Sequence, residues 1–86
     1  MAFDLERAWS VHPQVALRPE PFGALAYHFG TRRLSFLKSR TLLAVVEALD
    51  SQPSARDACR AAGVPDDQLP QYTRALATLA ETGMIR

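Results

Sequence analysis

From Val15 to Lys38 apolar and polar positions alternate nearly residue by residue, whereas from Leu42 onward apolar residues recur every three or four. The first period belongs to strands and the second to helices. Val15 and Leu17 alternate with Ala16 and Arg18 until Pro19 and Pro21 interrupt; residues 22–29 read as a second strand and 34–38 as a third. Prolines cannot donate to a ladder, which places the first connection at a sheet edge or in a loop. In "GTRR", Gly30 is the residue expected to take positive φ.

Ser39 is a natural N-cap for a first helix, in which Leu42, Val45, Val46 and Leu49 form one apolar stripe before "DSQP" stops it. Ser54 and Asp57 have the spacing of a capping box. Ala55, Ala58, Cys59 and Ala62 then give a narrow face of small residues that lets a neighbouring helix approach, with Gly63 as C′ residue. A third helix starts between Asp67 and Pro70, with Asp66 and Asp67 as its caps. It carries Leu69, Tyr72, Leu76 and Leu79 on one stripe and ends at Gly83. Three strands followed by three helices, two of them joined by the tight turn "AGVPDD", make an α+β winged helix-turn-helix-like domain with an antiparallel sheet. It spans residues 1–86, with residues 1–13 as a loosely docked arm.

The third strand is unusual. Leu34 and Phe36 share one side and Ser35 and Leu37 the other, so both faces carry an apolar side chain, and Arg32, Arg33, Lys38 and Arg40 crowd around it. In a three-stranded sheet at least one edge is unpaired, offering backbone N–H and C=O groups to an incoming chain. The basic cluster would discourage self-pairing and attract an acidic peptide. The same charges also suit an ordinary solvated edge.

Composition removes several classes of function. Eighty-six residues, 48% of them hydrophobic, suit one small globular domain. Ten basic against nine acidic residues leave a net charge of +1, too even to point to nucleic acid or membrane. One cysteine, Cys59, excludes an internal disulfide and an all-cysteine cluster, and its small-residue surroundings suit burial better than nucleophilic chemistry. His12 and His28 are the only histidines, no metal-binding or nucleotide-binding motif is present, and His28 fits a structural role within its strand. Asp4, Glu6 and Arg7 break up any signal-like start, so a reducing cytoplasm is expected. No cofactor and no enzymatic activity are expected.

A winged-helix DNA-binding regulator has the right fold and the wrong surface. In "LPQYTRALATLAETG" only Arg74 is basic, and Ala75, Ala77 and Ala80 offer no hydrogen bonds to bases. An adaptor touching only an enzyme is a further alternative.

The stretch "HPQVALRPEPFGALAYHFGTRRLSFLKSRTLLAVVEAL", with "AAGVPDDQLPQYTRALATLAETGMI" behind it, resembles the RiPP recognition elements, and among them the precursor-peptide chaperones of mycofactocin biosynthesis. The resemblance runs from about Trp9 to Ile85. It implies a module that binds a ribosomally made precursor peptide and presents it to a radical S-adenosylmethionine maturation enzyme, which owns the iron–sulfur chemistry. It further implies that the peptide adds as a strand to Arg33, Leu34, Ser35, Phe36 and Leu37. The opposite wall would be drawn from Tyr72, Ala75, Leu76 and Leu79. On this reading Leu34 and Phe36 face the helices, and proline at Ser35 deletes a donor of the new ladder.

Overall fold

The computed structural model describes residues 3–86. Three antiparallel strands in the order β1 (Val15–Glu20), β2 (Gly23–His28) and β3 (Arg33–Leu37) precede α1 (Arg40–Ala48), α2 (Ala55–Ala61) and α3 (Leu69–Glu81). The expected α+β order is therefore present, with β2 central and both outer strands at edges.

The sheet buries one face against the helices, and the side chains on β2 decide which. Ala24 and Ala26 are almost fully buried, and opposite them in register lie Leu37 and Ser35. Alanine and serine are small enough to let the helices approach the sheet closely, so this face turns inward. Leu37 joins Val45, Val46, Leu49, Leu76, Met84 and Ile85 in the core.

Two turns depend on backbone freedom. Gly23 has φ of 152°, and a side chain there would run into the backbone of Leu37 and Ser39 where β3 hands over to α1. In the second hairpin the positive φ falls on Arg32, at 61°, rather than on Gly30. The buried ring of His28 explains the difference: its Nδ1 accepts from the N–H groups of both Gly30 and Thr31, which holds the start of the turn and passes the left-handed residue on to Arg32.

Ser39 Oγ accepts from Leu42 N–H at 3.0 Å, and Ser54 Oγ accepts from Asp57 N–H at 3.1 Å, so both expected N-caps form. Gly63 and Gly83 come after α2 and α3 with positive φ, as chain reversals after helices require. Asp66 and Asp67 do not cap α3. They occupy a 3-10 turn leading into Gln68, and Pro70 in the first turn of α3 has no N–H to satisfy.

The chain before β1 is tied down along its described length, while residues 1 and 2 of the expected arm lie outside the described residues. Leu5 and Arg7 carbonyls accept from Arg56 and Ala55 N–H at the start of α2, and Glu6 pairs with Arg56 at 2.8 Å. Trp9 stacks on Phe3, carries Arg7 over its ring, and donates its indole N–H to Asp4 O. Ser10 and Arg86 then exchange a pair of backbone hydrogen bonds beside a Val11–Ile85 bridge.

Candidate functional site

The outer edge of β3 has its hydrogen-bonding groups set by the ladder beside it. Phe29 N–H donates to Gln14 O at 2.8 Å, continuing the β1–β2 register. Bonded pairs alternate with non-bonded ones in an antiparallel ladder. The bonded positions toward β1 are thus Tyr27 and Leu25, and β2 turns the backbone groups of Ala24, Ala26 and His28 toward β3. Their register partners are Leu37, Ser35 and Arg33. The N–H and C=O of Leu34 and Phe36 are therefore left pointing out of the sheet. Ser35 N–H faces inward, so a proline there would break the protein's own ladder rather than an added one.

Beside this edge runs a groove of about 360 Å³. Leu34, Ser35, Phe36 and Lys38 form one wall, Ala75, Thr78 and Leu79 of α3 the other, and Leu42 of α1 contributes from below. A smaller extension of about 190 Å³ continues past Ser39 to Gln71 and Tyr72. Ala75 explains the opening: with a methyl group in place of a long side chain, α3 leaves space next to the strand. Ala77 and Ala80, on another side of α3, line a separate hollow with Phe3 and Trp9. The arm covers that side of the helix and its hydrogen bonds run to α2 and the C-terminal tail. That hollow of about 490 Å³ is larger, but no strand edge borders it.

The structure sorts the nine expected residues. Ser35, Ala75 and Leu79 line the groove, Leu34 and Phe36 border it through their backbone, Tyr72 borders its extension, and Arg33 is exposed at the head of the strand. Leu37 and Leu76 are wholly buried and serve as core behind the groove. The side chains of Leu34 and Phe36 do not face the helices: they are 52% and 56% exposed on the opposite face of the sheet. Alternation alone could not decide this, because both faces of β3 carry an apolar residue. The signal was in "GALAYH", where small residues mark the packed side of β2. Lys38, Leu42 and Thr78 were not among the expected residues. Thr78 could have been found one turn after Ala75, on the same side of α3.

Burial, against a smaller opposing effect of Arg56, pushes the Cys59 thiol above its ordinary pKa, which disfavours the nucleophilic thiolate. Its surroundings are the apolar interior, where its sequence context placed it. Among the described residues no group of His, Cys, Asp and Glu could hold a metal ion, and no helix is long and apolar enough to cross a membrane.

Residues 8–86 match the model of the peptide chaperone MftB family. The chain belongs to that family. Relatives named peptide chaperone MftB occur in Mycobacterium ulcerans, 61% identical over 98% of this chain and 77% of the relative, and in Mycobacterium tuberculosis, 60% identical over 96% and 76%. A third, from Mycolicibacterium smegmatis, is 55% identical over 99% of this chain and 83% of its own length. No solved structure matches the chain. A peptide chaperone is not an enzyme, in keeping with the non-catalytic reading of the sequence.

Proposed function

We propose that the chain captures a ribosomally made precursor peptide as a fourth strand on the outer edge of β3. It would then present that peptide to a radical S-adenosylmethionine maturation enzyme in mycofactocin biosynthesis. The observation that carries this reading is the unpaired edge at Leu34 and Phe36, with an apolar groove directly beside it. An added strand bonds to the N–H and C=O of those two residues and directs every second side chain into the groove, toward Ser35, Leu42, Ala75 and Leu79. Tyr72 meets a residue further along the peptide, while Leu37 and Leu76 hold the two walls apart from within. Arg33 and Lys38 at the ends of β3 favour carboxylates flanking the apolar segment.

Holding a flexible precursor in one extended form raises its concentration at the enzyme and removes part of its conformational search. The peptide loses conformational freedom on ordering, so affinity around the micromolar range is expected rather than what the contact area suggests. Titrating the labelled domain with synthetic precursor peptide tests this. Amide shifts should concentrate at Leu34, Phe36, Ala75 and Thr78. A well-folded spectrum that does not move at millimolar peptide would rule the reading out.

A further inference from the structure

All four exposed large hydrophobic side chains among the described residues lie on one side of the molecule. They are Phe22, Phe29, Leu34 and Phe36, between 46% and 60% exposed. Leu34 and Phe36 stand opposite Tyr27 and Leu25 on the face of the sheet turned away from the helices. The ring of Phe22 lies 6.2 Å from that of Phe36, and Phe29 sits edge-on to Tyr27 at 5.2 Å. The result is a continuous apolar surface on the outer sheet face, and surfaces of this kind mark interaction sites.

A strand added at the β3 edge cannot cover it. Such a strand lies beside Leu34 and Phe36, while Phe22 at the first hairpin turn and Phe29 at the second remain bare. The surrounding charge narrows the choice of occupant. On this face Arg18, opposite Leu25, lies 3.5 Å from Glu20, the one acid between residues 15 and 40, while Arg32 before β3 and Lys38 after it add further positive charge. A second copy docked face to face would bring the unpaired Arg32 and Lys38 of both copies to one interface, whereas an apolar surface rimmed by carboxylates would be matched in both respects. The peptide strand also extends this same face, so a partner seated here touches the bound peptide directly.

We propose that the outer face of the sheet, centred on Phe22, Leu25, Tyr27 and Phe29, is the docking surface for the folded maturation enzyme, through an apolar patch on that enzyme ringed by acidic residues. This rests on the reading that such an enzyme receives the peptide. The edge of β3 holds the substrate and the adjoining face holds the catalyst, which places the two partners side by side without competition.

The test uses the full chain, the synthetic precursor peptide and the purified radical S-adenosylmethionine enzyme. The double substitution Phe22→Ser with Phe29→Ser removes two exposed rings that belong neither to the β3 edge nor to the groove beside it. It is expected to leave peptide affinity within about two-fold and to weaken enzyme binding by about ten-fold or more. Arg18→Glu, on β1, should weaken enzyme binding by about three-fold with an intact amide spectrum, which keeps the test decisive should the double variant misfold. Equal enzyme binding by wild type and variants would overturn the assignment of this face alone. Wild type that binds peptide but not enzyme would overturn the enzyme reading together with it. A wild-type dimer that the double variant abolishes would assign the face to a second copy. Loss of binding to phosphatidylserine vesicles with enzyme binding retained would assign it to a lipid surface. Either result overturns the proposal.

Discussion

The sheet has two outer edges, and they have been left in very different states. On β1 the backbone groups that face away from β2 belong to Val15, Leu17 and Pro19. Val15 N–H is already engaged by His12 O at 2.9 Å, and Pro19 has no N–H, so Leu17 retains the one free donor in the strand. On β3 the corresponding groups of Leu34 and Phe36 are intact and open beside a groove. The β1 edge keeps one free donor, whereas the β3 edge keeps both of its own. Proteins ordinarily blunt every exposed edge because an open one templates unwanted pairing. An edge with intact donors and an apolar groove next to it is what a peptide-capturing module requires.

The largest effect should come from giving β3 the proline that β1 already has, in two adjacent positions. Ser35→Pro removes a donor used inside the sheet and orphans a buried acceptor on Ala26, so it should destabilise the domain by about 2–3 kcal/mol in denaturant unfolding. Leu34→Pro removes an outward donor and should remain within about 1 kcal/mol of wild-type stability, yet weaken peptide binding by about ten-fold in calorimetric titration. If the two variants behaved alike, the ladder assignment would be wrong.

The converse change is gentler. Pro19→Val restores the donor on β1 and leaves the β3 edge and its groove unchanged. Peptide affinity should stay within about two-fold, while sedimentation at high protein concentration should reveal weak self-association absent from the wild type.

The smallest effect concerns His12, whose carbonyl closes the β1 edge. Desolvation, then the nearby Arg86 charge, then His28 hold its pKa below the usual histidine value. The unfolded chain therefore takes up a proton there more readily than the folded one. Stability should be fully retained above about pH 6.5 and decline as the pH falls below it. The decline should flatten in His12→Gln, monitored by thermal unfolding across that range.

Much of this architecture is legible in the residues. The switch from period two to period near four locates all six elements, and Ser39, Ser54, Gly63 and Gly83 mark their ends, because caps and chain reversals rest on local chemistry. Which way β3 faces was not legible from β3 itself, since Leu34 with Phe36 and Leu37 with Ser35 are both acceptable core pairs. The answer depended on the small side chains of the neighbouring strand. Leu76 sits on the same stripe as Leu79 but behind the groove wall, a distinction of one helical step that only the position of β3 resolves. Nor could spacing reveal that the carbonyls of Leu5 and Arg7 serve as caps for α2, because that pairing joins residues about fifty apart.

The mutual hydrogen bonds of Ser10 and Arg86 join residues separated by nearly the whole chain. Closing so long a loop has a large entropic cost that only a nearly complete domain can offset. These bonds should therefore form late in folding and open early in the native state, exchanging their amide hydrogens faster than the ladder of β2. The molecule is then a cradle fastened by a comparatively soft clasp, and the fastening lies apart from the open edge of β3.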